Sequence, residues 1–165
     1  MTSARLAFDP IQRAGEIWSE RIGDDSAMRL ATSIMRVQQM VLASLDAAVK
    51  PFDITFARYE VLVLLSFSRA GSLPLSKIGE RLMVHPTSVT NLIDRLDAQG
   101  FVERTIDSAD RRRILASLTP EGKRVLKQAT QALMDIDFAV GTLDDAEQEQ
   151  AYRLLRSLRS TDFDD

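Results

Sequence analysis

The side chains with most to offer chemically lie between residues 86 and 113, and what they offer is hydrogen bonding rather than bond-breaking. Pro86 is followed by Thr87, Ser88, Thr90 and Asn91, and Asp94 and Arg95 come a turn later. Short hydroxyl and amide groups of this kind donate to and accept from base edges, and they let a helix approach the floor of a groove. Farther along, Asp110 precedes Arg111, Arg112 and Arg113, whose guanidiniums suit phosphates or a minor groove. Nothing of comparable density suggests catalysis. The chain has no cysteine, which excludes disulfides, thiolate metal sites, a thiol nucleophile and thiol redox sensing, and its single histidine is His85. No enzyme, cofactor or metal is expected.

These groups need a rigid carrier. From Pro86 to Ala98 the apolar residues Val89, Leu92, Ile93 and Leu96 fall at i, i+3, i+4 and i+7, one buried stripe of an amphipathic helix. Pro86 suits the first helical position and Gly100 closes the helix. The outward face then carries Thr87, Thr90, Asn91 and Asp94, with Ser88 and Arg95 on its flank. Upstream, Ser76 is expected to cap a helix over 77–83 with Ile78 and Leu82 inward, and His85 reads as a turn residue. Helix, tight turn, helix is the order of a helix-turn-helix. Downstream, Val102, Arg104 and Ile106 alternate with Glu103 and Thr105, a turn cluster follows at 107–110, and Ile114, Ala116 and Leu118 alternate on the return. This is a β-hairpin, and Leu73-Pro74-Leu75 is placed to add a short strand. Alternation keeps three successive arginines from facing one way. Arg112 is therefore expected at the groove, with Asp110 fixing the turn. Arg95 has two readings, a phosphate contact or a pair with an acid, and the hydroxyls could also be an ordinary solvated face.

The remaining helices supply bulk. Residues 1–8 show no periodicity and are expected to fray. Asp9 and Pro10 open a helix with Ile11, Ala14, Trp18 and Ile22 on one side, broken at 23–26. Residues 27–49 form the longest periodic segment, with Met28, Ile34, Met35, Leu42, Leu45 and Val49 among its apolar positions. Thr55 caps a helix over 56–69 that leaves little polar face and should be central. Thr119 and Pro120 open another to about Val140. Asp144 with Glu147 makes a capping pattern for a last helix to about Ser160, with Ala151, Leu154, Leu155 and Leu158 on its apolar side. The long helices carry more apolar surface than one chain covers, and a second copy is the natural cover.

Composition permits this. The chain has 165 residues, 45% of them hydrophobic, and a net charge of −3. Between Ser76 and Arg113 seven basic residues face six acidic ones, whereas nine acids face three arginines from Asp135 onward. The acidity sits away from the polar helix, and DNA needs only local positive charge. No apolar run reaches the ~18 residues of a membrane span and no signal-peptide pattern opens the chain, so a cytoplasmic protein is expected.

The spacing Gly100-Phe101-Val102, seven residues, Asp110-Arg111-Arg112, six residues, Thr119, two residues, Gly122, behind Val89-Thr90-Asn91-Leu92-Ile93-Asp94-Arg95-Leu96, resembles the MarR-type winged-helix regulators over residues 27–160. The resemblance implies a mainly α fold with a small β-hairpin wing (α+β). Residues 1–50 and 120–165 would form a helical dimerisation region, and 51–119 a winged helix-turn-helix DNA-binding region. It implies a homodimer on palindromic double-stranded DNA, a repressor released by a small aromatic or anionic effector. DNA contacts fall to Pro86, Thr87, Ser88, Thr90, Asn91, Arg95, Asp110, Arg111, Arg112 and Arg113. Trp18, Arg58 and Tyr59 are the candidates for effector contact, Trp18 having a packing role as its other reading. Many relatives have arginine where this chain has Asn91, so its base preference should differ. The helix bearing Trp18 also resembles a urate-sensing subgroup, which places a basic residue where this chain has Leu92. The alternative function is a dimeric winged-helix scaffold for protein partners without specific DNA binding.

Overall fold

The computed structural model describes residues 6–160. The part of the fraying expectation that concerns 1–5 therefore lies outside the described residues. The fold is mainly helical with one small antiparallel sheet. It separates into two compact units, Met1–Ala43 and Ser44–Asp165.

In the first unit, helix α1 (Pro10–Arg21) opens as anticipated, the Asp9 carboxylate accepting the Ile11 amide at 2.9 Å. Gly15 of α1 lies over the Asp25–Arg29 ion pair (3.0 Å) at the start of α2 (Ser26–Val49). Trp18 and Ile22 of α1, and Met35, Val37 and Met40 of α2, remain exposed in the single chain.

The second unit begins with the last turn of α2, where Leu45 and Val49 are buried. A 3-10 turn at Lys50–Phe52 ends on Asp53 in the left-handed region (φ 57°). Helix α3 (Phe56–Ser66) is capped by the Thr55 hydroxyl, and Asp46 of α2 accepts the Phe56 amide at 2.7 Å. Its buried face, Tyr59, Val61, Leu62 and Leu65, makes it the central helix, packed by α4 (Leu75–Leu82), α5 (Pro86–Ala98) and α6 (Pro120–Met134). α3 stops at Ser66 rather than near 69. The Ser66 hydroxyl donates to Val63 O (2.6 Å), that of Ser68 donates to Ser72 O (2.7 Å), and Phe67 is left exposed. These local bonds compete with the helical ladder.

Strand β1 (Ser72–Pro74) forms where a short strand was expected and pairs with β3 (Ile114–Leu118), which pairs with β2 (Val102–Ile106), all antiparallel. Leu73 and Arg104 both lie opposite Ala116. α4 begins directly from this strand, with Pro74 at its N-cap and no side-chain cap, so Ser76 lies within the helix instead of capping it. The pyrrolidine ring itself holds Pro74 at φ −62°, and its extended ψ of 143° completes the N-cap geometry. α4 ends on left-handed Met83 (φ 53°).

The Thr119 hydroxyl caps α6, which ends at Met134, short of the expected Val140. Asp137, Phe138 and Ala139 all take left-handed backbone, φ 47°, 49° and 62°. Such backbone costs on the order of 1–2 kcal/mol per residue. It is held by amide bonds from Ala139 to Ile136 O (2.8 Å) and Val140 to Asp137 O (3.0 Å). α7 (Asp145–Arg159) follows with both halves of the Asp144–Glu147 capping box formed, at 2.9 Å each.

Candidate nucleic-acid interface

The carrier of the interface is α5. Val89, Ile93 and Leu96 are buried, and Leu92 is half-buried beside them. Pro86, Thr87, Ser88, Thr90, Asn91 and Arg95 are therefore exposed as one polar face. Among the described residues, the side chains of Thr87, Ser88, Asn91 and Arg95 make no hydrogen bond or ion pair. Arg95 thus has no acid, which removes one of its two readings. The Thr90 hydroxyl donates back to Pro86 O at 3.2 Å, leaving its methyl and acceptor lone pairs.

Asp94, an acid on the polar side of α5, is neutralised by an ion pair with Arg104 of β2. The pair also joins the helix to the wing. In the sequence Arg104 is only an alternating strand residue, ten positions from the acid it pairs with.

The wing turn is built by two aspartates. Asp107 accepts the Ala109 amide (2.9 Å) and Asp110 accepts the Arg112 amide (3.1 Å), while the Asp110 carbonyl receives the Arg113 amide (2.9 Å). Arg113 is held near Asp107 at 3.7 Å. Arg111 and Arg112 lie in the turn, before β3 begins, so strand alternation does not govern them. Both are exposed and neither has an ion pair among the described residues. Replacing Arg112 with alanine is expected to weaken specific and nonspecific duplex binding alike. The salt slope should fall by about one unit, as for one lost phosphate contact. An unchanged slope and affinity in salt titrations would take Arg112 off the DNA.

At its other end α5 is clasped to the start of α3. The Gln99 amide nitrogen donates to the carbonyl of Asp53 (2.6 Å) and its carboxylate (3.0 Å), and Arg58 donates to the Gln99 side-chain oxygen (2.9 Å) and to Asp53 O (3.2 Å). Left-handed Asp53 turns its carbonyl to this cluster, a feature no local sequence pattern announced. Asp53, Arg58, Ser88, Asn91, Leu92 and Arg95 are among the residues lining a cavity of ≈ 840 Å³ here. Among the described residues Arg58 bonds only neutral oxygens, so two guanidiniums without a carboxylate partner there, those of Arg58 and Arg95, share one hollow. Tyr59 is elsewhere: its ring is buried against Phe56 (centroids 5.7 Å apart) and its hydroxyl is 3.2 Å from that of Thr130. Thr130 already donates to Leu126 O, so the phenol is the donor and is spent in the core. Trp18 belongs to the other unit, on α1, and is partly exposed.

Gly122 explains the far end of the sequence motif. The Thr119 hydroxyl donates to Gly100 O (2.7 Å) and accepts the Gly122 amide (2.9 Å), while the Thr119 amide donates to Phe101 O (3.1 Å). This brings α6 onto the junction of α5 and β2, the point that sets helix against wing. Among the described residues no helix is long and apolar enough to cross a membrane, and no group of three or more metal-ligating side chains is assembled.

A helix-turn-helix whose second helix is polar outward, followed by a β-hairpin that completes a three-stranded sheet, defines a winged-helix protein. A family model described as the MarR family matches residues 54–114. Sco5413, a MarR family transcriptional regulator from Streptomyces coelicolor, has a similar structure (TM-score 0.78) at 50% identity, covering 84% of this chain and 98% of that one. A mutant MarR from E. coli, complexed with operator DNA, has TM-score 0.72 at 26% identity, over 86% of this chain and 97% of that one. The HTH-type transcriptional repressor MdtR from Bacillus subtilis is 34% identical over 104 residues, 63% of this chain and 63% of MdtR, less than two thirds of that relative's length. The chain belongs to the MarR family.

Proposed function

We propose that the chain is a sequence-specific DNA-binding transcriptional regulator of the cytoplasm, a homodimeric repressor that reads a palindrome and is released by a small aromatic or anionic molecule. The observation that carries this reading is the exposed polar face of α5, whose Asn91 amide is unengaged among the described residues, beside a wing with two arginines unpaired among them. The operator complex of the E. coli relative supports it. Residues 51–119 serve as the reader, and residues 1–50 and 120–165 as the dimerisation region. The apolar residues left exposed on α2 and α7 support that division. The hollow bearing Arg58 and Arg95 is the place where an anionic effector would meet the recognition helix, and because Ser88 and Asn91 also line it such a molecule would compete with DNA for the same face. The function is binding, with no catalytic step.

In the dimer the two α5 helices enter successive major grooves, so half-sites are centred ~10 base pairs apart. Asn91 is suited to a two-pronged contact with adenine, and Thr87 and Thr90 to a thymine methyl or a phosphate. Asn91→Ala should cost roughly 1–3 kcal/mol on the preferred site and little on random DNA. Binding selection with both proteins tests this. Identical preferences at every position would mean that Asn91 reads no base. If the unaltered protein enriches nothing, the alternative of a protein-binding scaffold takes over.

A further inference from the structure

We propose that His85 makes sequence reading depend on pH: its neutral imidazole positions the start of the recognition helix, and protonation exchanges selectivity for nonspecific grip. The inference rests on the DNA-binding reading above. Helices α1, α3, α6 and α7 are capped by oxygen, from Asp9, Thr55, Thr119 and Asp144. α5 is capped by nitrogen: the Thr87 amide donates to Nδ1 of His85 at 3.3 Å. His85 in fact serves the whole first turn. Pro86 has no N–H, and the amides of Ser88 and Val89 both donate to the His85 carbonyl, at 2.9 and 3.2 Å. Thr87 is the one remaining amide, and the ring is its partner.

An amide N–H can only donate, so Nδ1 must carry the lone pair and the neutral ring holds its proton on Nε2. Carboxylate and hydroxyl caps keep a lone pair between about pH 5 and 8, the range in which a histidine side chain gains its charge. Once Nδ1 is protonated, two donors face each other and the ring must leave. The helix start then loses its cap, and a cation stands at the positive end of the helix dipole. Thr87 and Ser88 lie in the turn so loosened and Asn91 one turn on, so contacts that require close placement suffer. The exposed imidazolium meanwhile adds positive charge beside the phosphates, where attraction carries no sequence information.

The surrounding charges do not supply the same transition. His85 shares a hollow with residues of α4, the turn and α5, and Glu80 is the other titratable group lining it. Glu80 is bonded to Lys77 at 2.7 Å, which holds its carboxyl below the usual range, so it stays anionic while a histidine titrates. Arg81 of α4 and Asp94, Arg95 and Asp97 of α5 do not line the hollow, and Met83 and Val84 of the turn carry no charge.

The test is fluorescence anisotropy at constant ionic strength, from about pH 7.5 to about pH 5.5, on a selected palindrome and a scrambled duplex of equal length. The ratio of specific to nonspecific affinity should fall roughly three- to tenfold on acidification, the scale of one lost cap. The salt slope on scrambled DNA should steepen by about one unit per subunit. His85→Asn supplies a capping oxygen that does not titrate and should flatten the ratio's pH profile. His85→Ala should give a lowered ratio throughout. In the DNA-free protein, the Thr87 amide resonance should titrate together with the His85 ring nitrogens. A level ratio in the unaltered protein, or a His85→Asn profile that still bends, overturns the inference. Absence of binding to any duplex would instead sink the DNA reading, and a Thr87 amide that ignores the ring would still refute the cap.

Discussion

Gly122→Ala is expected to lower stability by about 3 kcal/mol or more, the upper range for overpacking, and the thermal midpoint by roughly 10 °C. A Cβ built at Gly122 would stand 1.9 Å from Phe101 O and 2.8 Å from its carbonyl carbon. Those are backbone atoms already bound into the junction, so no side chain can swing aside. Relief would require α6 to retreat from Phe101, breaking the bonds of Thr119 to Gly100 and Phe101. Because Phe101 joins recognition helix to wing, protein that still folds should also bind the selected duplex more weakly. Thermal unfolding by circular dichroism gives the first number and anisotropy the second. A midpoint equal to that of the parent protein would mean that α6 does not sit this close to the junction.

Leu155→Asp is expected to dissociate the proposed homodimer. Tyr152, Leu154, Leu155 and Leu158 leave α7 with large apolar side chains that the single chain does not cover, Leu154 at 65% and Leu158 at 60% exposure. A carboxylate buried without a partner at such a contact costs several kcal/mol, on the order of the whole stability margin of a modest interface. Sedimentation of the variant should show monomer or unfolded chain. If it stays a folded dimer, α7 is not part of the contact. Leu45 does not offer the same test. At 5% exposure it belongs to the core of the second unit, so Leu45→Asp would report on the folding of one protomer.

The carrier and face of the interface were legible because they follow from local rules. Val89, Ile93 and Leu96 recur at the helical period, Pro86 can start a helix, and Gly100 takes the positive φ (73°) that ends the segment. The spacing from Gly100 to Gly122 carried the family resemblance, and the bonds of Thr119 show what that spacing holds together. Helix ends were less legible. α6 stops at Met134 although apolar spacing continues past it, and α4 starts at Leu75, directly after β1, with Pro74 as its N-cap. Periodicity records which side of a helix is buried and says little about where tertiary contacts stop it.

The set of elements, the polar face of α5 and the composition of the wing each follow from residues within a few positions of one another. How those groups are held, and which remain free, depends on the packed chain. It paired Asp94 with Arg104, clasped Gln99 to Asp53 and Arg58, drew the Tyr59 hydroxyl into the core with Thr130, and left Arg95, Arg111 and Arg112 without acids among the described residues. It also gave the lone histidine its task, since a turn residue and an N-cap look alike until the ring's orientation is known. The physical reason is range. Helical and strand periodicity are set by backbone geometry over a few residues, whereas these pairings join side chains up to 71 positions apart, and only the packed chain brings them within hydrogen-bond reach.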